Sequence, residues 1–399
     1  MKLLLVRLSA HGDILQTLPV LASIKAQYPT LQVGWLVETE GATLLSDHPL
    51  IDTLHVIPRK TWLRDLRRGR VLPVLKSVMQ TIQGIRQEDY TIALDIQGLF
   101  KSAVWAWLMC IPYRLGFKAS REYASLFYTH TVKPHDLADA HTPTYQVFLR
   151  VWEGVHAIPQ LSSRLHPYLA DVPDEGALPA TPPTLYPFPQ ADTHEKASLE
   201  LILKQQQWRS DAPMIAMAPA TKWQTKCWPD SYWATLVTLL QKHVPEFYCI
   251  FVGTATDAET FSQCHDAIVY HPRGITMAGK TSLRSVFPLL EFATLFLGGD
   301  SFALHASHIV QHQQQLSHRP VLHSVGLWGP TSALRTGPIL SQHHTPLQHH
   351  PSLACQPCFK KVCPFSETHA PEAHHACMKG ITPEEVLKHV LHQLTQGKA

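Results

Sequence analysis

The opening residues limit the fold more than any other stretch of this chain. A short apolar run at residues 3–6 ends in a turn that contains Gly12 and one acid, Asp13. An amphipathic segment follows at residues 14–21. This order predicts a strand, a tight turn and a helix. Because ligands of open α/β sheets bind beyond the carboxyl ends of strands, Asp13 is either a reacting carboxylate or an acid that stabilises the helix dipole.

Length and composition allow two globular domains. The chain has 399 residues, of which 45% are hydrophobic and 16% charged, a balance typical of folded proteins. Its net charge of +3 is too small to indicate a nucleic-acid partner. Since no apolar run reaches the ~20 residues that a membrane span needs, we expect a cytoplasmic protein. Structural disulfides are rare there, so the eight cysteines are expected to be thiols or metal ligands.

The alternation of short apolar runs with helical patterns indicates two parallel sheets. In the first half the strand-like runs are residues 3–6, 33–37, 53–57 and 92–94. A proline-rich stretch at residues 173–189 predicts a linker. Beyond it, further runs end in turn formers and small polar residues, at 214–218, 248–252, 295–297 and 324–327. This layout predicts a second Rossmann-like domain with a binding rim at one edge, while the polar residues 311–319 are expected to form an inserted, solvated loop.

Several separated blocks resemble one enzyme family. They are residues 8–13, 95–102, 226–229 with 232–233, 299–301 with His305, and 329–331. In these blocks, and over nearly the whole chain, the sequence resembles the ADP-heptose:lipopolysaccharide heptosyltransferases, glycosyltransferase family 9. The resemblance implies the α/β fold called GT-B, in which two Rossmann-like domains face each other across a cleft. Residues 1–190 would then bind the acceptor, and residues 191–399, with a cysteine-containing tail and a closing helix, would bind the nucleotide-sugar.

The family chemistry assigns roles to two residues. Such enzymes move a heptose from ADP-heptose to the lipopolysaccharide core with inversion, which requires one base to take the proton of the attacking hydroxyl. Asp13 matches the position of that base. Lys226 matches the family lysine near the diphosphate, where a cation meets the charge of the leaving group. The resemblance therefore implies a transferase that needs no catalytic metal or other catalytic cofactor.

The other donor-binding candidates lie at predicted strand ends of the second domain. They are Thr221, Asp300, Ser301, His305 and Thr331, together with Lys226. An acid beside a diphosphate is repelled, so Asp300 is assigned to the sugar or to holding its loop. His305 either faces the site or is a core histidine.

One position at this site departs from the family. Phe302 stands where relatives usually carry glycine, whose lack of a side chain allows close approach of a ligand. A donor other than ADP-heptose therefore stays open.

Candidates for acceptor binding lie in the first domain. They are Ser9, His11, Gly12, Arg59, Lys60, Arg64 and Arg121. The basic cluster at residues 59–70 suits an anionic lipid A–core oligosaccharide, and it is also compatible with a solvated helix face. With Trp62 and nearby apolar residues, it suits an anionic membrane surface as well. The expected partners are thus the nucleotide-diphosphate sugar, the core acceptor and the inner membrane, with the protein peripheral on its cytoplasmic face.

Four cysteines near the end of the chain have short spacings: Cys355, Cys358, Cys363 and Cys377. The pattern is compatible with a structural zinc site or an iron–sulfur cluster, and also with packed thiols or a disulfide in a folded tail.

Two alternatives to the heptosyltransferase function remain. A GT-B relative could use another nucleotide-sugar, as a transferase or an epimerase. A binding protein without activity is the other, and it predicts that Asp13→Asn changes nothing.

Overall fold

The computed structural model describes residues 1–133, 142–169, 193–209, 212–338, 342–365 and 367–396. The chain divides into two compact units, Met1–Pro189 and Gln190–Ala399. The stretch at 173–189 for which a linker is predicted lies outside the described residues. In the part of the chain that is described, no helix combines the length and the apolar character needed to cross a bilayer.

The first unit is built on one parallel sheet. Its strands are β1 (Lys2–Val6), β2 (Gln32–Glu38), β3 (Thr53–Ile57), β4 (Ile92–Asp95), β5 (Tyr113–Phe117) and β6 (His130–Val132). They lie in the order β3-β2-β1-β4-β5-β6, and every neighbouring pair is parallel. This is the Rossmann order, in which the strand order reverses between β1 and β4. Ligands of such sheets bind at the loops that follow these two strands.

Helices cover both faces of this sheet, as a parallel sheet requires. They are α1 (His11–Gln27), α2 (Thr39–Leu45), α3 (Arg59–Arg67), α4 (Val71–Gln87), α5 (Phe100–Leu108), α6 (Thr144–His156) and α7 (Pro159–Leu165), with short 3-10 turns at Ala124–Phe127 and His166–Tyr168. Leu3, Leu4, Leu5 and Val6 of β1 are wholly buried, which explains why this strand is a continuous apolar run.

The second unit repeats the same topology. Its strands are β7 (Met214–Ala218), β8 (Tyr248–Phe251), β9 (Gly274–Thr276), β10 (Leu295–Gly299), β11 (His323–Trp328) and β12 (His344–Gln348). The order is β12-β11-β10-β7-β8-β9, again all parallel. The reversal falls between β7 and β10, so the loops after these strands form the expected binding rim. The predicted fold class, α/β with two Rossmann-like units, is confirmed.

The helices of the second unit enclose an apolar core. They are α8 (Thr193–Gln205), α9 (Asp230–His243), α10 (Ala255–Thr260), α11 (Ser262–Val269), α12 (Val286–Phe292), α13 (Phe302–Leu316), α14 (Ala333–Thr336), α15 (Ala376–Lys379) and α16 (Pro383–Gln396), with a 3-10 turn at Gln224–Lys226. Val386 and Val390 of α16 are buried in a core that includes Trp228 and Trp233. The last helix therefore packs as an integral part of the unit.

The prediction of a solvated loop at residues 311–319 is wrong for most of that stretch. Its glutamines belong to α13, and two of them are buried. Gln311 Nε2 donates to Ser324 Oγ (2.8 Å), and Gln314 Oε1 accepts from the backbone N–H of Leu322 (2.7 Å). Polar side chains are tolerated inside when they find such partners, and a polar sequence alone does not reveal them.

Candidate functional site

Asp13 lies in the turn between β1 and α1, at the point where the strand order of the first unit reverses. Its side chain is 45% exposed, and Oδ2 is 2.6 Å from Arg7 Nη2. The same oxygen accepts a long hydrogen bond from the backbone N–H of Ala10 (3.4 Å). Both contacts involve Oδ2, so Oδ1 has no hydrogen-bond partner among the described residues. A carboxylate that is held through one oxygen keeps the other available for contact with a substrate.

Arg7 anchors this carboxylate. The arginine is buried, and Nη1 donates to the carbonyl of Ile96 (3.0 Å), while the guanidinium lies 5.0 Å from the centre of the Phe148 ring. A guanidinium stays charged in proteins, and burial of an unpaired charge is costly. Asp13 is its ion-pair partner, which fixes the acid at the turn. Sequence reasoning missed Arg7, although an arginine at the end of an apolar strand was the available signal.

Lys101, in the first turn of α5, connects this helix to the loop after β1 and to the end of β2. Its Nζ donates to Ser9 Oγ (2.7 Å) and to Glu38 Oε1 (2.9 Å). Gln97 Oε1 accepts from the backbone N–H of Leu8 (2.8 Å). These bonds place Ser9, a predicted acceptor-binding residue, within a polar network. Lys101 lies in one of the blocks that carried the resemblance, but no role was assigned to it.

Asp95, at the end of β4, has a structural role. It accepts hydrogen bonds from Tyr128 Oη, Ser102 Oγ and the backbone N–H groups of Gln97 and Gly98. Burial raises the pKa of this carboxyl, although these donors act in the opposite direction. Asp95 therefore holds the loop after β4 in place and is not accessible to a substrate.

The remaining acceptor candidates form two groups. His11 and Gly12 are the first two residues of α1. The basic candidates have ion-pair or backbone contacts: Arg59 with Glu38 (3.8 Å), Lys60 with Glu40 (2.9 Å), Arg64 with Asp65 (3.9 Å), and Arg121, whose N–H donates to the carbonyl of Gly98 (3.3 Å). Their role in acceptor binding remains a prediction. Trp62, by contrast, is buried and donates to Ser77 Oγ (3.0 Å), so its predicted place on the surface is wrong.

Lys226 and Asp300 form a buried ion pair at the reversal point of the second sheet. Lys226 Nζ lies 2.7 Å from Asp300 Oδ2, and His305 Nε2 lies 3.4 Å from Oδ1. Burial of Asp300 by itself opposes ionisation, but Lys226 and His305 outweigh it and hold the pKa well below its usual range. Asp300 is therefore an anion that orients these two cationic or donor groups.

The loop after β7 is shaped around Trp223. Lys226 Nζ lies 4.5 Å from the centre of the Trp223 ring, and Thr221 Oγ1 donates to the carbonyl of Trp223 (2.7 Å). A Cβ on Gly299 would stand 3.0 Å from the Thr221 methyl group and 3.1 Å from the Lys226 carbonyl. Glycine favours this close approach of the loop to the end of β10, because a side chain would require the loop to shift by a few tenths of an ångström.

Two hydroxyl groups at the rim lack internal partners. Ser301 precedes α13, and Thr331, which follows β11, is 2% exposed. The Oγ atoms of both are buried and find no hydrogen-bond partner among the described residues. Buried polar groups are normally satisfied, so these hydroxyls are candidates for contact with a ligand. Phe302 packs edge-to-face on Phe287, with ring centres 6.0 Å apart.

Behind Asp300, histidine rings continue into the unit. The ring centre of His308 is 6.2 Å from that of His305 and 4.8 Å from that of His344. Burial and the neighbouring histidines lower the pKa of His308 well below its usual range, and burial lowers the pKa of His344 to about 3. Both rings are therefore neutral near neutral pH.

The buried imidazole of His308 is expected to make the stability of the fold depend on pH. His308 is neutral in the folded state, whereas in the unfolded chain its imidazole is protonated below pH ~6.5. The contribution of His308 to the free energy of unfolding is therefore complete above that pH. It falls as pH decreases, by about 1.4 kcal/mol between roughly pH 7.5 and 5.5. We expect His308→Gln to remove this part of the pH dependence in urea unfolding, whereas His130→Gln, at an exposed position, preserves it. Equal slopes in wild type and His308→Gln would contradict the assignment.

The cysteine-containing tail contacts the loops after β7 and β11. The carbonyl of Lys360 accepts from Thr225 Oγ1 (2.8 Å), and the N–H of Phe359 donates to the carbonyl of Pro330 (2.8 Å). Within the tail, ligand atoms of Cys363, His374 and His375 lie within 4.8 Å of one another. This tail therefore combines a candidate metal site with direct contacts to the binding rim.

The thiols of the tail interact with one another. Burial raises the pKa of Cys377 to about 11, and the nearby thiols of Cys358, Cys355 and Cys363 add to the shift. All four cysteines are unpaired thiols.

The known proteins that this chain resembles are heptosyltransferases. The model of glycosyltransferase family 9 (heptosyltransferase) matches residues 78–160 and 177–369. The chain is 24% identical to lipopolysaccharide heptosyltransferase 1 of Pseudomonas aeruginosa, over 92% of this chain and 89% of that protein.

Solved structures share the fold. One is Escherichia coli ADP-heptose lps heptosyltransferase II, with 20% identity, a TM-score of 0.69 and 100% of both chains covered. Another is E. coli heptosyltransferase WaaC with ADP, with 18% identity, a TM-score of 0.64, and 98% of this chain and 100% of that chain covered.

Proposed function

Because this chain belongs to glycosyltransferase family 9, the heptosyltransferases, we propose that it transfers heptose from ADP-heptose to a hydroxyl of the lipopolysaccharide core oligosaccharide, with inversion. A relative aligned over nearly the whole chain is named lipopolysaccharide heptosyltransferase 1. The observation that carries the proposal is that each unit places a charged pair at the reversal point of its sheet. These pairs are Arg7–Asp13 and Lys226–Asp300.

In this proposal Asp13 is the general base. The acceptor hydroxyl gives its proton to Oδ1 while its oxygen attacks the anomeric carbon. The bond from that carbon to the phosphate oxygen breaks, and ADP leaves with the electron pair. The transition state has oxocarbenium character, as in glycoside hydrolysis. Arg7 takes no proton in this step, because its guanidinium is already protonated. It holds Oδ2 and leaves Oδ1 available for the acceptor proton.

The residues of the second unit stabilise the leaving group. Negative charge grows on the diphosphate as the bond breaks, and fixed donors in a partly buried site stabilise it. We assign this role to Lys226 Nζ, the hydroxyls of Ser301 and Thr331, and the N-terminus of α13. Asp300 positions Lys226 and His305 and does not contact phosphate. Thr221 shapes the loop through Trp223.

The test is a donor and acceptor panel. Purified protein is incubated with ADP-heptose or with other nucleotide-sugars, together with lipid A–core acceptors of increasing length, and the acceptor is analysed by mass spectrometry and anomeric NMR. We expect one heptose to be added from ADP-heptose with inverted configuration. Conversion of a nucleotide-sugar without acceptor would favour the epimerase alternative, and a different preferred donor would assign Phe302 a role in selecting it.

We further propose that the tail holds a structural metal ion. Cys363, His374 and His375 supply thiolate and imidazole ligands, a donor set suited to zinc or iron. Cys355, Cys358 or Cys377 would complete a four-coordinate site. The ion would take no part in the transfer. Its role would be to fix the tail against the loops that carry Thr225 and Pro330.

Metal analysis checks this proposal. We expect about one zinc or iron per chain in protein purified without chelator, and less than half of that in Cys363→Ser. The matched control is Cys110→Ser, which removes an exposed thiol of the first unit and should keep the metal. Wild-type protein without bound metal would overturn the site while leaving the transferase proposal intact.

For location, we propose peripheral association with the cytoplasmic face of the inner membrane. The acceptor of the proposed reaction is anchored there by its lipid A part, so the enzyme must work close to the bilayer.

A further inference from the structure

Helix α4 exposes a stripe of large apolar side chains. Leu72, Leu75 and Met79 are 79%, 52% and 60% exposed. Their spacing of three and four residues places them on one side of the helix. Leu63 and Leu66 of α3, which packs against α4, are 40% and 42% exposed. We call these five residues the apolar stripe.

The stripe is not the side of α4 that builds the core. Val74 and Ile85 are buried in the core of the first unit together with Trp62. Helix α4 thus has apolar residues on two sides, and only one of them packs inside. Several large exposed apolar side chains on one side of a helix are typical of a site of interaction with another molecule or with a membrane.

Positively charged residues are interspersed with the stripe residues along the sequence. Residues 59–76 contain seven lysines and arginines and a single acid, Asp65. Asp65 is already shared between Arg64 (3.9 Å) and Arg70 (3.7 Å). Other cations of this segment, Arg67, Arg68 and Lys76, have no ion-pair partner within the part of the chain that the structure describes.

We propose that the apolar stripe docks on an anionic phospholipid bilayer. Leu72, Leu75 and Met79 would enter the boundary between headgroups and acyl chains, and the surrounding arginines would contact lipid phosphates. Amphipathic helices that bind membranes combine an apolar side with flanking Lys and Arg in this way. The inference rests on the proposed function, because a lipid-anchored acceptor requires the enzyme to reach the bilayer.

The positive charge near the apolar stripe favours a bilayer, and not a second copy of this chain, as the molecule that binds there. Two copies that met through their stripes would bring the same excess of positive charge together, which disfavours association. An anionic membrane supplies both the apolar interior and the negative headgroups that this surface lacks.

The test is co-sedimentation with vesicles. Wild-type protein should bind vesicles of phosphatidylethanolamine and phosphatidylglycerol, bind pure phosphatidylcholine weakly, and lose binding at high salt. Leu72→Ser/Leu75→Ser/Met79→Ser should weaken binding about tenfold or more, and Arg67→Gln/Arg68→Gln should weaken binding to anionic vesicles alone. The control is Leu201→Ser/Val269→Ser/Tyr270→Ser, which removes exposed apolar side chains of the second unit. This variant should bind vesicles as the wild type does.

A deacylated, water-soluble core acceptor separates this inference from the proposed function. The stripe variant should transfer heptose to it at the wild-type rate, while transfer to vesicle-embedded acceptor falls. Unchanged vesicle binding by the stripe variant would overturn the docking surface, as would wild-type self-association that the variant abolishes. No transfer by wild type to either acceptor would instead contradict the proposed function.

Discussion

Asp13→Asn is expected to lower kcat for heptose transfer by about 10²–10⁴-fold, the usual contribution of a general base. Asparagine keeps the shape of the side chain and an oxygen that Arg7 can contact, but it cannot take the acceptor proton. The donor-binding residues lie in the other unit, so the Kd for ADP should be unchanged. Single-turnover transfer and calorimetric ADP binding measure the two quantities separately.

A matched control tests whether Asp13 acts only as a helix cap. Asp257 occupies the same place in α10, where its Oδ2 accepts from the backbone N–H of Thr254 (2.7 Å). Asp257→Asn should cost stability on the order of 1 kcal/mol or less without affecting kcat. Equal, small effects of both substitutions on kcat would show that Asp13 is structural.

Lys226→Met is expected to damage both catalysis and folding. Loss of the cation at the diphosphate should lower kcat by about 10²–10³-fold. It also leaves Asp300 buried without its main partner, and breaking such a pair typically costs about 3–5 kcal/mol. Urea unfolding and steady-state kinetics measure the two losses. Lys226→Arg, which keeps the charge, should recover stability better than rate, because its fork is wider than an ammonium group.

The sign of the pH dependence follows from the lowered pKa of Asp300. The wild-type pair stabilises the fold above the unfolded pKa of ~3.9, and this contribution is lost as pH falls through the folded value.

The double variant Lys226→Met/Asp300→Asn should regain stability relative to Lys226→Met, because no charge remains unpaired, while kcat stays low. Recovery of kcat in the double variant would contradict the assignment of Lys226 to the leaving group.

Local pattern was sufficient to predict much of the fold. The apolar run at residues 3–6 is β1, and the segment after Gly12 is α1, because a buried parallel strand and an amphipathic helix have distinct periodicities. The same logic fails at Gln311 and Gln314, whose polar side chains are buried in α13. Their partners, Ser324 and Leu322, lie in or just before the next strand, β11, and periodicity carries no information on such contacts.

The candidate site was predictable only in part, for a related reason. Asp300 was expected at a strand end and Lys226 from the family resemblance, but their direct contact depends on β7 and β10 being neighbours in the sheet. Arg7 and Lys101 were missed because their roles depend on tertiary contacts, with Asp13 and with Ser9. The contact of the tail with Thr225 and Pro330 is likewise a tertiary feature without a local signature.

ADP release from ADP-heptose by wild-type protein, measured with and without a lipid A–core acceptor, tests directly whether this chain transfers heptose to the core. We expect release that requires the acceptor and equals the heptose gained by it. Release at the same rate without acceptor, or no release from a protein that binds ADP, would contradict the assignment of this chain as a heptosyltransferase of the lipopolysaccharide core.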